Sequence, residues 1–164
     1  MSQKKCSNSN NVGAHPGTAL RPAIQKGQHM EFFIPLEKIP TVTAQTQRIA
    51  TYGGKPRVYK HAQLVDAEQL FIAHLAPHAP EHPATGPCFV FTTWLFQTTD
   101  KSKAGQWKTT KPDTDNLLKM FKDCMTKVGF WKDDAQVVYE STQKMYAASK
   151  DEVGIFVQVK ELDK

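Results

Sequence analysis

The stretch that decides the fold is residues 111–137, which read KPDTDNLLKMFKDCMTKVGFWKDDAQV. Apolar residues recur in it every three or four positions, at Leu117, Leu118, Phe121, Cys124, Met125 and Val128. This spacing predicts an amphipathic helix that buries one face. Pro112 restricts the residue before it to extended backbone, and a glycine such as Gly129 is typical just beyond a helix end. The helix is therefore expected to lie between these two residues.

Charged residues of this stretch form a candidate site. Asp113 and Asp115 fall at the start of the predicted helix, and Asp134 follows its end. Lys119 is one helical turn from Asp115 and shares its exposed face. Acids and a lysine on one accessible surface are typical of a site that holds a hard divalent cation beside a phosphate. Two structural interpretations stay open: the two acids could only cap the helix, and Lys119 could only form an ion pair with Asp115.

Composition indicates one globular domain. The chain has 164 residues, of which 40% are hydrophobic and 23% charged, which is ordinary for a globular protein with a real core. No apolar run approaches the length that crosses a bilayer, and no signal-peptide core is visible, so no membrane partner is expected. Cys6, Cys88 and Cys124 cannot all pair within the chain, and a reducing, cytoplasmic setting is the simplest interpretation.

Basic residues are placed unevenly along the chain. Residues 1–29 hold four of the 21 basic residues and none of the 16 acids, which leaves 17 basic and 16 acidic residues in the rest. Two later blocks lack acids, one with Lys38, Arg48, Lys55, Arg57 and Lys60 and one with Lys101, Lys103, Lys108 and Lys111. We expect these blocks to grip the phosphates of a nucleic acid on either side of the acids, with Trp107 available to stack on a base. The alternative is two solvated loops.

The pattern along the chain predicts an α+β fold. Residues 1–29 are rich in Ser, Asn, Gly and Gln and are expected to be a disordered extension, so the domain is predicted over residues 30–164. Strands are predicted at residues 31–36, 41–50, 87–98 and 153–162, one or two more at 135–147, and a short strand or the approach to a helix at 57–60. A first helix is predicted at residues 66–75. The order β, β, α, β, α, β, β indicates a mixed sheet with two helices packed on it. The carboxylates are then expected to cluster at one edge of the sheet.

Two motifs in residues 111–137 carry a resemblance to a known family. D-x-D-N-x-x-K, followed after a helix by G-x-W-x-D-D-A-Q-V, resembles the RusA-like Holliday-junction resolvases. The resemblance implies a small homodimeric endodeoxyribonuclease that depends on Mg²⁺, with Mn²⁺ as an expected substitute. Such enzymes cut four-way DNA junctions by paired, symmetric incisions in recombination and repair. A two-fold dimer is the economical way to place two such cuts.

The resemblance also assigns roles to individual residues. It implies catalytic, metal-binding carboxylates at Asp113, Asp115 and Asp134, and an essential lysine at Lys119. Lys144 matches a basic residue of the family and is added to the predicted DNA contacts. The N-terminal half departs from the family, because residues 34–43 read IPLEKIPTVT where a P-P-S-x-N-like turn is expected.

Two other functions stay open. One is a metal-dependent nuclease that cuts flaps, overhangs or other branched DNA with the same acids. The other is a non-catalytic DNA-binding module of the same fold. The intact set Asp113, Asp115, Lys119 and Asp134 argues against the module, because carboxylates held near phosphate weaken binding without serving it.

Overall fold

The computed structural model describes residues 29–42, 62–163 and, for the backbone, the two strands at residues 48–52 and 55–59. The predicted disordered extension lies outside these residues, except that His29 already belongs to the first strand. Within the described part of the chain, no helix is long and apolar enough to cross a membrane. Cys88 and Cys124 are free thiols and both are buried.

The elements form a mixed sheet with two helices. They are β1 (His29–Pro35), β2 (Arg48–Tyr52), β3 (Lys55–Tyr59), α1 (Ala62–Leu75), β4 (Cys88–Phe96), α2 (Thr114–Val128), β5 (Val137–Tyr146) and β6 (Gly154–Glu161). The main sheet has the order β1-β6-β4-β5, in which β4 and β5 are parallel and the other pairs antiparallel. The predicted α+β class is confirmed. One strand more than expected precedes α1, because residues 48–52 and 55–59 pair with each other as a separate two-stranded sheet.

Strand β4 is the centre of the main sheet, as its aromatic and β-branched sequence predicts. It pairs with β5 on one side and with β6 on the other. Trp94 on β4 is fully buried and packs edge-to-face against Phe71 of α1 and Phe121 of α2, with ring centroids 5.9 Å and 5.4 Å away. Such aromatic pairs stabilise beyond the area that they bury. They fix both helices on the sheet and so position the start of α2.

Helix α2 has the predicted ends and the predicted buried face. Its buried residues are Leu117, Leu118, Met120, Phe121, Cys124 and Met125, and Val128 is partly buried. Met120 widens the face beyond the predicted stripe. At the far end, Gly129 has a φ of 91° and donates its N–H to the carbonyls of Met125 and Thr126, which ends the helix. Residues within and next to this helix are therefore enough to predict where it begins, where it ends and which face it buries.

Candidate active site

Asp113 occupies the N-cap position of α2 without capping the helix through its side chain. Its backbone is extended, with φ −76° and ψ 151°, and its carbonyl oxygen accepts a hydrogen bond from the N–H of Leu117 at 3.2 Å. The carboxylate makes no capping hydrogen bond and the residue is exposed. N-cap residues are normally selected because the side-chain oxygen accepts an N–H of the first turn. Capping therefore does not account for this carboxylate, which is left open to a ligand.

Asp115 lies on the first turn of α2 and lines an open cleft between α2 and β5. The cleft has a volume of about 190 Å³ and is lined by Thr114, Asp115, Leu118, Glu140 and Thr142. The carboxylate of Asp115 is exposed, and the side-chain hydrogen bond that it accepts within the described residues is a long one, from the Asn116 amide at 3.5 Å. Asp115 therefore presents free oxygen atoms beside a space that can hold an ion and a phosphate group.

The cleft includes residues of β5 that the sequence reasoning missed. Glu140 and Thr142 lie on the face of β5 that meets α2, and Glu140 accepts a hydrogen bond from Lys122 of α2 at 2.6 Å. Lys144 belongs to the same alternating series, because every second residue of a strand points to one face. That alternation groups the three side chains on one face of β5 from the sequence alone, but it does not show that this face meets α2.

Lys119 is exposed on α2, one turn after Asp115. Within the described residues its ammonium makes no hydrogen bond or ion pair. The interpretation of Lys119 as the partner of a surface ion pair with Asp115 is therefore not supported. The lysine instead adds an unneutralised positive charge to the helix face that carries Asp115.

Lys144, one of the predicted DNA contacts, is engaged with the protein itself. Its ammonium donates to the carbonyl oxygens of Thr110 and Pro112 at 2.8 Å and 2.6 Å, and the residue is half-buried. These bonds hold the segment that leads directly into Asp113 against β5. A contact between Lys144 and DNA stays a prediction, whereas its tether to the start of α2 is an observed contact.

The predicted basic loop, residues 101–111, is fixed to the sheet. Gly105 donates its N–H to the carbonyl of Tyr146 at 3.0 Å, and Lys108 does the same to the carbonyl of Lys144 at 3.1 Å. Trp107 is 62% exposed on this anchored segment. The backbone of the loop is therefore held in one place by hydrogen bonds to β5, and its side chains project from fixed positions.

The lysines of this loop make this edge of the sheet positive, although Lys103 is paired with Asp100 at 3.3 Å. Lys101, Lys103 and Lys111 are exposed, and the ammonium of Lys108 lies over the rings of Phe96 and Tyr146 at 5.1 Å and 5.5 Å from their centroids. The pKa of the Tyr146 phenol is lowered, first by its hydrogen bond with Thr110 and then by the charges of Lys108, Lys103 and Lys144. Positive charge next to exposed carboxylates suits a polyanionic substrate.

The upstream basic block lies on the separate two-stranded sheet. Arg48 is paired across the strands with Tyr59, Lys55 with Tyr52, and Arg57 with Ala50. The side chains of these basic residues, and Lys60 altogether, lie outside the described part of the chain. Their role as DNA contacts stays a prediction.

Asp134 is not beside the other two acids. It begins a 3-10 helix, Asp134–Gln136, that leads directly into β5. The start of β5 pairs with the start of β4, whereas the segment before Asp113 is bound near the far end of β5, at Lys144. A strand rises about 3.3 Å per residue, so residues 137 to 144 alone separate the two places by roughly 23 Å.

The expectation that the three acids cluster at one edge of the sheet is therefore wrong for a single chain. A helix that connects two parallel strands runs opposite to them, so the strand that follows α2 must begin near the end of α2 and not near its start. Accordingly, the residues that the structure describes include no group of three His, Cys, Asp or Glu side chains that could hold a metal ion. The predicted ligand set Asp113, Asp115 and Asp134 is split between two places.

The donor chemistry of the site nevertheless suits magnesium. Mg²⁺ prefers oxygen ligands and is typically bound through one or two carboxylates together with substrate phosphates. The open carboxylates of Asp113 and Asp115 supply that minimum on a single chain. Carboxylates on an open cleft, an exposed lysine and a lysine-rich edge are together typical of metal-dependent nucleases.

Comparison with known proteins gives the family. The profile of the family described as Endodeoxyribonuclease RusA matches residues 38–160. A protein named Crossover junction endodeoxyribonuclease rusA, from Lactococcus phage r1t, is 32% identical over 117 residues, which cover 70% of this chain and 87% of the phage protein. The chain belongs to the RusA family of endodeoxyribonucleases, as the two motifs predict.

Proposed function

We propose that this endodeoxyribonuclease resolves four-way DNA junctions by paired, symmetric hydrolysis of phosphodiester bonds in DNA recombination and repair. The observation that carries the proposal is the open pair of carboxylates, Asp113 and Asp115, beside the lysine-rich edge of the sheet. The name of the phage relative supports junction DNA as the substrate. The cytoplasm stays the expected location.

In this proposal Asp113 and Asp115 hold Mg²⁺, for which Mn²⁺ can substitute. The bound ion supplies neutralisation of the phosphate charge and activation of the attacking water. Lys119 offsets the negative charge that develops on the phosphate in the transition state. The lysines of residues 101–111 bind the flanking phosphates, and the tether from Lys144 keeps the start of α2 in place.

A second copy of the chain would supply the missing third acid. Within the described residues, the edge of β5 that faces away from β4 is hydrogen-bonded to the basic loop near Lys144 and Tyr146, and no described strand pairs with residues 137–143 on that edge. On this part of β5, Val138 and Tyr139 are 62% and 59% exposed. An open edge strand with exposed apolar side chains favours pairing with another strand. Antiparallel pairing of β5 with its copy about a two-fold axis would close this edge.

Such a dimer brings the separated acids together. Because the two copies of β5 run in opposite directions, the start of one strand lies beside the end of the other. The partner subunit's Asp134 would then lie near the end of β5 that adjoins Asp113. Each site would combine Asp113 and Asp115 of one subunit with the third acid of the other, and the two-fold axis would relate two equivalent sites. Two such sites account for paired cuts.

Cleavage assays on purified protein test the function. A synthetic four-way junction and a linear duplex of matched sequence are incubated with the protein, with and without Mg²⁺. We expect cuts in two strands of the junction at symmetric positions, only with the metal, and little cleavage of the duplex. Equal cutting of flaps or overhangs without symmetric junction cuts would favour the broader branched-DNA nuclease, and binding without any cut would favour the non-catalytic module.

The basic loop is expected to set the salt dependence of binding. Replacing Lys101, Lys103, Lys108 and Lys111 by alanine should weaken junction binding, because each removes one positive charge. For every phosphate that one of these lysines neutralises, its removal should lower the slope of log affinity against log salt by about 0.9. Titrations at several salt concentrations measure the slope. Lys127→Ala, at the far end of α2, is the control. A wild-type slope in the fourfold variant would show that this loop does not bind DNA.

Lys119 is expected to act on the rate of cleavage and not on the fold. Lys119→Ala should slow single-turnover cleavage at saturating enzyme while leaving junction affinity and the melting temperature nearly unchanged, since an exposed helical lysine contributes little to stability. Lys119→Arg should restore little of the cleavage rate, because a planar guanidinium does not replace a compact ammonium. Lys127→Ala, two turns further along the helix, controls for loss of charge. A full rate with weakened binding would make Lys119 a phosphate anchor instead.

A further inference from the structure

The side-chain amide of Gln136 uses its full hydrogen-bonding capacity. Its Oε1 accepts the N–H groups of Lys132 and Asp133 at 2.9 Å and 3.2 Å. Its Nε2 donates to the carbonyl oxygens of Ala84 and Gly86 at 3.0 Å and 3.1 Å. An amide has two N–H donors and one oxygen with two lone pairs, so no capacity is left over. Gln136 therefore joins two segments of the chain that are about 50 residues apart.

The segment that receives Gln136, residues 84–86, is itself held from the other side. Oε1 of Glu161 on β6 accepts the N–H groups of Thr85 and Gly86 at 3.2 Å and 2.6 Å. A Cβ atom on Gly86 would lie 2.7 Å from this oxygen, so a larger residue here would displace the Glu161 carboxylate. Ala84 donates its N–H to the carbonyl of Phe130 at 2.9 Å. These contacts fix the backbone of residues 84–86, and Gln136 is hydrogen-bonded to this fixed segment.

The group that Gln136 holds is the turn carrying Asp134. The 3-10 helix of Asp134–Gln136 has only three residues, and so short a helix depends on external bonds for its position. Asp133 caps it by accepting the N–H of Ala135 at 2.8 Å. The carboxylate of Asp134, between these bonded residues, makes no hydrogen bond or ion pair within the described structure. The turn is thus fixed through its neighbours while its acid is left unbonded.

We propose that Gln136 is a positioning residue. It sets the place of the Asp134 carboxylate by binding the turn that carries Asp134 to the segment of residues 84–86, which Glu161 holds. This inference rests on the proposed role of Asp134 as a metal ligand. Residues that orient a metal ligand commonly change metal affinity or activity by about 10- to 100-fold when they are replaced. Gln136 is expected to act in the same way, without touching metal or DNA.

Binding of Mn²⁺ to the DNA-free protein, followed by electron paramagnetic resonance, tests the proposal alongside thermal melting and cleavage. Gln136→Met keeps the length of the side chain and removes all four hydrogen bonds. It should weaken Mn²⁺ binding by about tenfold and raise the Mg²⁺ concentration for half-maximal cleavage to a similar extent. In the Asp134→Asn background the same substitution should weaken Mn²⁺ binding no further, because both act through one carboxylate. If Gln136→Met does not melt cooperatively, Gln136→Glu, which keeps the two accepted bonds and loses the two donated ones, is measured instead.

The control is Gln97→Met, because Gln97 also ties a loop, by accepting the N–H of Ile39 at 3.1 Å. We expect it to lower the melting temperature without changing Mn²⁺ affinity. Unchanged Mn²⁺ affinity in the folded Gln136 variant, or a further loss in the Asp134→Asn background, would overturn the proposal and leave Gln136 a structural residue. If wild-type protein fails to cleave the junction with Mg²⁺, it is the proposed function that fails; wild-type cleavage with unaffected Gln136 variants sinks the positioning role alone.

Discussion

Asp113→Asn, Asp115→Asn and Asp134→Asn are each expected to abolish junction cleavage while leaving junction binding close to wild type. Each change keeps the shape of the side chain and removes the negative charge that a hard divalent cation requires. We expect a loss of more than about 100-fold in the cleavage rate, the upper range for residues that only support a ligand. Binding can even tighten, since a carboxylate near phosphate is repulsive.

Single-turnover cleavage and electrophoretic binding on the same junction measure these two effects separately. Asp151→Asn, which replaces an exposed carboxylate outside the site, is the matched control. Because Asp113 and Asp115 are exposed and neither side chain caps the helix, the melting temperatures of the Asp113→Asn and Asp115→Asn variants should stay near the wild-type value. Turnover at the wild-type rate in any of the three variants would remove that residue from the ligand set.

Mixed dimers of Asp115→Asn and Asp134→Asn subunits are expected to recover cleavage that neither variant has alone. If each site combines acids of two subunits, both substitutions fall in one site of the mixed dimer, and the other site keeps all its acids. The recovered activity should nick one strand of the junction and not make paired cuts, because one site of two is intact. Recovery from nearly none to about half of the wild-type nicking rate is a large effect, since two equivalent sites contribute equally by symmetry.

Co-expression of the two variants with different affinity tags, followed by sequential purification, yields the mixed dimer. Mixed dimers of wild-type and Asp115→Asn subunits provide the reference for one active site. If all acids of a site come from one chain, each subunit of the double-variant dimer is inactive and no cleavage appears. A monomeric protein in solution would equally contradict the composite site.

The α2 region shows how much the sequence alone allows. Its buried stripe, its start after Pro112 and its end at Gly129 were all predicted, because each depends on residues within a few positions of one another. The central place of β4 was predicted for a similar reason, since its run of aromatic and β-branched residues is typical of a strand buried on both faces. The family motifs lie in the same local stretch, and for that reason the enzyme class could be predicted.

Long-range contacts decided the rest of the site. Lys144 is predicted to contact DNA, and the fold adds a role that the sequence did not show: its ammonium donates to the carbonyl oxygens of Thr110 and Pro112, more than 30 residues away. Glu140 lies in the cleft beside α2, where it accepts a hydrogen bond from Lys122, 18 residues earlier on that helix. Neither pairing is visible in local periodicity, because it depends on which strand of the sheet lies beside α2.

The position of Asp134 shows which part of the site the sequence predicts and which part only the tertiary structure decides. By itself, the sequence determined the helix, the residue types that are typical of a metal-dependent nuclease, and the close spacing of Asp113 and Asp115. Only the tertiary structure decided that β5 runs parallel to β4, and this direction places Asp134 at the opposite end of the strand. Strand direction follows from pairing between distant segments and from packing of the whole core, and a local motif carries no record of it.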